Sequence, residues 1–414
     1  MNKFLLSLSL LLPFALHAQD IDSTQAAERL NPVLEISASA EANYSDYPSL
    51  KLSNNKVRLN GDDWTALGAK YRAALAGDSL FTVVYLGNSH VQADFNGAAL
   101  RNRLAQGHLA GRGIIIPFRL AGTNEPVDYT FRTATPYESD RIMRQTSVLE
   151  LPFTGIGVRP NASEFTFDIT CKTPFDRLRF HTTGGFYDIT EISTGGHRTR
   201  FHNCPDPDAM LNVLLPEPTT DVAITMQGDT RTTFGGIELL SDSVGVLTHS
   251  IGNNGTSFCD YNTLPGFGEG IASLHPDLVI VALGTNEAFG RLSMDTLCSD
   301  MGSLLSGIER YSPGTKVLLV GPTECYKKIR KYRKGRRRRT VQVVNTKTTQ
   351  VARTMRTYAE EKGIPYYNHY AVAGSAASQR SAHLLGADGV HFTATAYRLW
   401  GSLLGDAIIE KLKQ

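Results

Sequence analysis

The chain has 414 residues, of which 41% are hydrophobic and 20% are charged, and its formal net charge is +2. This length allows two or more domains with a substantial core, and the composition is that of a globular protein. The near-neutral charge excludes a global attraction to nucleic acid.

The N-terminus has the form of an export signal. Residues 1–18 contain one lysine, an apolar run and a small residue before Gln19. This pattern predicts a secretory signal peptide cleaved after Ala18, and hence a periplasmic or secreted location. No cysteine lies near that site to carry a lipid. No later apolar run reaches the roughly 18 residues of a transmembrane segment, so we expect a soluble mature chain.

The first predicted strand follows a lead-in, residues 19–75, whose mixed polarity carries no chemistry. Residues 81–86 form an apolar run rich in β-branched and aromatic residues, which is typical of a buried parallel strand. A helix is predicted from about Gln92 to Leu104. Ser89 lies between them, at the edge where open α/β sheets bind their ligands. Taken alone, this pattern is also that of an ordinary turn with a capping serine.

Residues 107–126 are rich in glycine and include Pro117, which predicts a long irregular loop. The loop starts beside the serine and is expected to form one wall of a binding site. Arg112 and Asn124 are its candidates for contacting a ligand, and a structural role is the alternative for both.

A change of pattern marks residues 127–243. Short alternating runs at 165–169, 178–182, 222–226 and 236–240 are separated by turn residues. They predict an antiparallel β-sandwich inserted into the α/β domain. The five cysteines fit no metal-binding spacing. Cys171 and Cys204 are the only pair inside the insert, and they are expected to be either a disulfide or two buried thiols.

Alternating strands and helices resume at residue 244. Strands are predicted at 244–251, 278–283 and 316–320, and helices at 295–311 and 342–362. Such alternation predicts a doubly wound parallel sheet with helices on both faces. The second strand ends in Gly284, Thr285 and Asn286, which places an amide at the same edge as Ser89.

A basic run interrupts this pattern at residues 327–339, where ten of thirteen residues are Lys or Arg. Its composition predicts a solvated, mobile loop. It is either a plain surface loop or a point of attraction for an anionic polymer. Nucleic acid is not expected as a partner in an exported protein.

Asp388 and His391 stand near the C-terminus, three residues apart. A serine hydroxyl is a poor nucleophile until a neighbouring base removes its proton, and histidine has the suitable pKa range. A carboxylate on the other ring nitrogen fixes the tautomer and stabilises the imidazolium. Ser89, His391 and Asp388 therefore form a candidate nucleophile, base and orienting acid.

Four blocks now stand in the order of a known family: Gly87-Asn88-Ser89, Gly255, Asn286, and Asp388 with His391. The chain resembles the SGNH (GDSL-type) hydrolases, in which Gly-Asp-Ser opens the domain and Asp-x-x-His closes it. The resemblance implies a flavodoxin-like sheet, whose two parts would be residues 76–126 and 244–414. It implies a catalytic Ser89, Asp388 and His391, with an oxyanion hole formed by the backbone N–H of Ser89, the backbone N–H of Gly255 and the amide of Asn286.

These blocks contain one position with two candidates and one departure from the family pattern. Gly252 and Gly255 both fit the oxyanion position, and Gly255 is favoured because the family glycine follows an asparagine. Asn88 stands where the family has aspartate, which removes one negative charge beside the nucleophile.

The resemblance implies a function as well. SGNH-type bacterial polysaccharide and peptidoglycan esterases carry a carbohydrate-binding-like insert at this point of the fold. We therefore expect an exported serine carbohydrate esterase that O-deacetylates peptidoglycan or another polysaccharide. The alternatives are an acetyltransferase on the same scaffold and a glycan-binding protein with a degenerate SGNH domain. No metal or cofactor is called for.

Overall fold

The computed structural model describes residues 43–144, 149–185, 187–195, 197–200, 212–291, 293–331 and 339–414. The predicted signal peptide, Cys204 and residues 332–338 of the basic run lie outside the described residues. Within the described part, none of the helices has the length and hydropathy needed to cross a membrane.

The described strands are β1 (Val57–Arg58), β2 (Leu80–Gly87), β3 (Gly111–Ile115), β4 (Tyr129–Arg132), β5 (Tyr137–Arg141), β6 (Ile156–Pro160), β7 (Glu164–Thr183), β8 (Tyr187–Thr194), β9 (His197–Arg200), β10 (Asn212–Gly228), β11 (Thr233–Leu240), β12 (Gly245–Gly252), β13 (Leu278–Ala282), β14 (Lys316–Val320), β15 (Tyr326–Lys331), β16 (Arg339–Val344) and β17 (Tyr366–Tyr367). The described helices are α1 (Thr65–Ala76), α2 (Ser89–Gln92), α3 (Phe95–Ala105), α4 (Phe258–Asn262), α5 (Phe267–Ala272), α6 (Met294–Tyr311), α7 (Thr346–Lys362), α8 (His369–Ala373), α9 (Ala376–Ser381) and α10 (Ala394–Leu412).

One sheet has the strand order β1-β17-β14-β13-β2-β12. β1 pairs with β17 in antiparallel fashion, and the other neighbours are parallel. Its five parallel strands follow the flavodoxin-like order 2-1-3-4-5. The order reverses between β2 and β13, so the carboxyl ends of these strands form the crevice where ligands bind. The predicted doubly wound sheet is confirmed.

Strand β2 is buried on both faces, which explains its nearly continuous apolar sequence. Phe81, Val83 and Tyr85 belong to the core that packs against α1, α3 and α10. Val84 and Leu86 point into the opposite core, with α4, α6, α7 and the inserted sheet. Full burial of a large apolar side chain contributes about 1.5–3 kcal/mol, so β2 anchors the domain.

The second sheet is antiparallel and lies between β2 and β12 in the sequence, as predicted for the insert. Its order is β5-β6-β11-β7-β10-β8-β9, with β3 paired to β11 and β4 paired to β7. Phe165, Phe167 and Phe234 pack edge to face, with ring centroids 5.0 to 5.5 Å apart. These aromatic rings belong to the same buried cluster as Val84 and Leu86 of β2, so the insert shares a core with one face of the parallel sheet.

The predicted loop at residues 107–126 contains strand β3, so the loop prediction is wrong for Gly111–Ile115. Gly111 and Gly113 have φ angles of 147° and 81°. A Cβ at Gly113 would lie 2.3 Å from the Thr248 carbonyl oxygen, and one at Gly111 would lie 2.6 Å from that of Leu239. The glycines therefore allow β3 to lie close to both β11 and β12.

The basic run is also more regular than predicted. β15 and β16 pair in antiparallel register from Tyr326↔Val344 to Lys331↔Arg339. The prediction of a mobile loop is therefore wrong for these flanking strands. The next helix, predicted from residue 342, begins at Thr346 because residues up to Val344 belong to β16.

Candidate active site

Ser89 is the first residue of α2, directly after β2 and at the reversal of strand order. The side-chain oxygen of Asn88 accepts a hydrogen bond of 3.0 Å from the His90 N–H and caps the helix. Asn88 therefore provides the capping acceptor that aspartate would provide. The Ser89 N–H has no acceptor among the described residues, because a helix leaves its first N–H groups unpaired.

The three candidate catalytic side chains are joined by hydrogen bonds. Ser89 Oγ lies 2.9 Å from His391 Nε2, and His391 Nδ1 lies 2.6 Å from Asp388 Oδ2. The other Asp388 oxygen accepts the N–H groups of Val390 at 2.8 Å and His391 at 3.0 Å. The loop between α9 and α10 thus holds the acid and the base in one turn, 302 residues from the serine.

The environment of Asp388 keeps its carboxylate ionised. Burial favours the protonated form, but the hydrogen bond and charge of His391 and the two backbone N–H groups outweigh it, and the pKa falls to about 2. An ionised Asp388 accepts a hydrogen bond from the His391 Nδ1–H, which leaves the Nε2 lone pair facing Ser89. The arrangement can take a proton from the serine hydroxyl.

The two predicted oxyanion donors from other strands lie at the same edge. Gly255 follows β12 and Asn286 follows β13, the two strands that flank β2 in the sheet. The Asn286 amide donates to the Thr256 carbonyl at 2.7 Å, which ties the two loops together and leaves its second N–H available. Gly255 has a φ of 86° and is exposed, and its N–H has no acceptor within the described ranges.

Gly252, the alternative oxyanion glycine, has a packing role. It is buried at the end of β12. A Cβ there would lie 2.5 Å from the Gln92 nitrogen and 2.8 Å from the Asn88 carbonyl oxygen. Gly252 therefore lets the chain approach α2 closely. Gly255 remains the candidate for the oxyanion-hole glycine.

Asn124 lies beside the Gly255 loop, where it meets two residues that the sequence did not single out. Its side-chain oxygen accepts hydrogen bonds from Gln92 at 2.9 Å and from Asn254 at 2.7 Å. Gln92 in turn accepts the Asn254 N–H at 2.7 Å. These amides brace the turn before Gly255. No local signal marks them, because Gln92 ends helix α2 while Asn124 and Asn254 lie in two separate loops.

Arg112 does not face the site, and the ligand-binding role predicted for it is wrong. It is 1% exposed. Its guanidinium donates to Asp94 at 2.6 Å, to Asp128 at 3.0 Å and to the Ile114 carbonyl at 3.0 Å. A buried guanidinium with these partners is structural, and it fixes β3 to the segment after α2.

His90 is adjacent to the serine but is not arranged as a base. Its Nδ1 lies 2.9 Å from the Tyr397 hydroxyl, and its ring centroid lies 5.4 Å from that of His391. Burial, together with the charge of His391, lowers the pKa of His90 to about 3. His90 therefore stays neutral and supports the His391 ring.

Comparisons with known proteins agree with this fold. Residues 227–399 match the GDSL-like lipase/acylhydrolase family, and the matched range includes Gly255, Asn286, Asp388 and His391. Among curated proteins, none matches the sequence.

Solved structures are similar over different lengths. A structure of a peptidoglycan O-acetylesterase is similar with a TM-score of 0.67 and 18% identity, covering 87% of this chain and 98% of that one. A lipase/acylhydrolase from Enterococcus faecalis has a TM-score of 0.30 and 19% identity, covering 40% and 77%. An α/β-hydrolase enzyme from the metagenome of Lake Arreo has a TM-score of 0.29 and 14% identity, covering 40% and 72%.

The doubly wound sheet carries the serine–histidine–aspartate contacts at its edge, and an antiparallel sheet is inserted between β2 and β12. Residues 227–399 match the GDSL-like lipase/acylhydrolase family, and this match together with the serine–histidine–aspartate contacts supports an ester hydrolase of the SGNH type. The peptidoglycan O-acetylesterase structure aligns with 87% of this chain, which is more than the parallel-sheet domain alone. The two proteins therefore share their overall fold, including the insert. The predicted family resemblance and enzyme class are confirmed.

Proposed function

We propose that the protein is an exported serine esterase that removes acetyl groups from an acetylated glycan, with peptidoglycan as the first candidate. The observation that carries the proposal is the hydrogen-bonded chain from Ser89 through His391 to Asp388 at the strand-order reversal. The similar fold of a peptidoglycan O-acetylesterase supports the substrate class. The form of residues 1–18 supports export.

The mechanism uses the residues in an acyl-enzyme cycle. Ser89 Oγ attacks the acetyl carbonyl carbon while His391 Nε2 takes the hydroxyl proton. The bond between the acetyl carbon and the sugar oxygen then breaks, and His391 returns the proton to that oxygen, which leaves as the sugar hydroxyl. A water molecule next attacks the acetyl-serine and gives a proton to His391. The bond between the acetyl carbon and Ser89 Oγ then breaks and acetate is released. His391 returns its proton to Ser89 Oγ, which restores the hydroxyl.

Negative charge forms on the carbonyl oxygen in both halves of this cycle. The Ser89 N–H, the Gly255 N–H and the free N–H of the Asn286 amide are the donors proposed to receive it. Each such donor contributes about 10²–10³-fold to the rate, because it is fixed in place before the charge develops.

The test is hydrolysis of p-nitrophenyl acetate by the mature chain and by Ser89→Ala. We expect release of nitrophenol from the first and a fall of about 10⁴-fold or more in the variant. O-acetylated peptidoglycan and acetylated xylan are then compared as substrates. Acetyl transfer to a glycan acceptor in place of water would identify the acetyltransferase alternative. No Ser89-dependent hydrolysis of any acetyl ester would refute the proposal.

A further inference from the structure

The base of hairpin β15–β16 is bonded to the loop that carries Asp388. The Tyr326 N–H donates to the Gly389 carbonyl at 2.7 Å. The Gln342 amide donates to the carbonyls of Ala387 at 3.0 Å and Asp388 at 2.8 Å. The hairpin therefore begins at the backbone of the candidate catalytic acid.

Two further contacts fix this junction. Arg380 donates to the Gln342 side-chain oxygen at 2.6 Å, and its guanidinium lies 4.0 Å from the centroid of the Tyr326 ring. Gly389 has a φ of 79°, and a Cβ there would lie 2.8 Å from the Tyr326 Cβ. The junction is closely packed, so the direction of the hairpin relative to the loop is fixed.

The cations of the hairpin lie on the two strands that start at this junction. Lys328 pairs directly with Gln342 and Arg330 pairs with Thr340, so all four share one face of the ribbon. Lys331 stands opposite Arg339. Like charges directly opposite destabilise a strand pair, and a bound anion relieves that repulsion.

These charges have no acidic partners in the described part of the chain. Lys328, Arg330, Lys331 and Arg339 are exposed and take part in none of its ion pairs. The basic run contains ten of the chain's 42 Lys and Arg residues and none of its 40 Asp and Glu residues, so the rest of the chain has a formal net charge of −8. Positive charge is therefore concentrated at the hairpin, which attracts an anionic ligand.

We propose that hairpin β15–β16 is the docking surface for a carboxylate-bearing glycan and holds that polymer beside Ser89. The proposal rests on the esterase function proposed above and names the charge of its substrate. Lys328 and Arg330 on one face of the ribbon, and Lys331 and Arg339 on the other, lie within about 10 Å of the end that starts at the Asp388 loop. A polyanion bound there lies beside the loop that carries Asp388 and His391, so the proposed occupant is the polymer that carries the ester. Lys and Arg bind carboxylates through charge-assisted hydrogen bonds.

The experiment compares two triple variants of the full mature chain. The hairpin variant is Lys328→Gln, Arg330→Gln and Lys331→Gln. The control variant, Lys362→Gln, Lys411→Gln and Lys413→Gln, changes the net charge equally at the far ends of α7 and α10. These ends lie about 25 Å along each helix from the loops at its start. The substrates are p-nitrophenyl acetate and soluble O-acetylated peptidoglycan fragments with free carboxylates.

We expect the ratio of kcat/KM for the glycan to that for p-nitrophenyl acetate to fall about 10-fold in the hairpin variant at about 20 mM salt. The fall should appear in KM and disappear at about 0.5 M salt, where the Debye length is near 4 Å. The control variant should keep the wild-type ratio. Amidation of the glycan carboxylates should remove the difference between wild type and hairpin variant.

Equal ratios in the wild type and the hairpin variant would overturn the docking surface. So would an equal fall in both triple variants, which would indicate general charge attraction. Binding of anionic vesicles or single-stranded DNA that depends on the hairpin, with an unchanged glycan ratio, would assign the hairpin to another partner and also overturn it. Hydrolysis of p-nitrophenyl acetate by the wild type tests the esterase function separately, so the two proposals fail in distinguishable ways.

Discussion

Two histidine–carboxylate pairs occur in different regions of this molecule. His391 lies 2.6 Å from Asp388, and their side chains are 38% and 18% exposed. His181 lies 2.8 Å from Glu238, with 5% and 1% exposed. The first pair lies in a loop at the edge of the parallel sheet, where the Ser89 hydroxyl reaches the free ring nitrogen. The second is buried in the inserted sheet, between β7 and β11.

The buried pair has structural neighbours instead of a nucleophile. Arg179 lies 3.4 Å from Glu238, and His249 of β12 lies 3.7 Å from it. The other His249 ring nitrogen accepts the Ile114 N–H at 3.1 Å. This group therefore joins the inserted sheet to the parallel sheet. The same residue types form a candidate catalytic pair at an open sheet edge and a structural pair between two packed sheets, because their surroundings differ.

The largest expected effect comes from Asp388→Asn. The change should lower kcat for p-nitrophenyl acetate about 10⁴-fold, because the imidazole loses the carboxylate that sets its tautomer. Asparagine keeps an oxygen that can accept the Val390 and His391 N–H groups, so urea unfolding should change little. Activity within tenfold of the wild type would show that the exposed pair is not catalytic.

Asn286→Ala tests a feature that the His391–Asp388 site has and the buried His181–Glu238 pair lacks, namely a nearby amide donor. We expect kcat to fall about 10²–10³-fold with a small change in KM, since the donor acts on charge formed in the transition state. Asn262→Ala is the matched control, because its exposed amide also donates to a backbone carbonyl, that of Asp300 at 2.9 Å. Equal kcat in the two variants would remove Asn286 from the oxyanion hole.

Glu238→Gln should show the opposite pattern to Asp388→Asn. Burial raises the pKa of Glu238, but the hydrogen bond from His181 and the neighbouring charges outweigh it, so the pKa is lowered and the carboxylate is ionised. Removing this charge should lower the free energy of unfolding by about 3 kcal/mol and leave kcat unchanged. Glu164→Gln, at an exposed position of β7, is the control. A loss of kcat without a loss of stability would make the two pairs functionally alike.

His249 predicts a pH dependence of stability. Burial lowers the pKa of His249 from 6.5 to about 4. Between these values the unfolded chain binds a proton that the folded chain does not, so stability falls as the pH drops from about 6.5 to about 4. The full effect is about 3 kcal/mol. Urea unfolding at several pH values should show a shallower dependence in His249→Asn than in the wild type. Equal slopes would contradict a neutral, buried His249.

The smallest effect is expected at Asn88, which caps the helix that begins with Ser89. Asn88→Ala should cost about 1 kcal/mol of stability through loss of the cap. Asn88→Asp keeps an acceptor for the His90 N–H and should retain the cap. Thermal unfolding of both variants and the wild type checks this, and equal destabilisation by Ala and Asp would argue against the capping role.

The sequence predicted those parts of the site that depend on local pattern and topology. The apolar runs before Ser89 and Asn286 indicated adjacent buried strands, and the ends of parallel strands meet at one edge of a sheet. The Asp388–His391 spacing fitted an acid and a base held close together, and the two N–H bonds to Asp388 show that both lie in one turn. These features needed no knowledge of distant contacts.

Features that depend on distant partners were not predictable in the same way. The role of Arg112 follows from Asp94 and Asp128, which stand 18 and 16 positions away and meet it only in the folded core. Strand β3 is glycine-rich and takes its place from β11 and β12. In and just after the basic run, Ile329, Val341 and Val343 share one face of the hairpin. That period-two signal was present, but the surrounding cations masked it.

The short segment before β3 covers the outer edge of the parallel sheet. β12 is the outermost strand of the parallel sheet, and an uncovered outer strand exposes N–H and C=O groups that can pair with another molecule. Here residues 108–110 occupy it, through bonds between Val246 and the carbonyl of His108 at 2.8 Å and the N–H of Ala110 at 3.0 Å. At the opposite margin, the two-residue strand β1 is too short to serve as a template. Removing residues 108–110 would expose the backbone groups of β12, so this short segment protects the parallel sheet from pairing with another molecule.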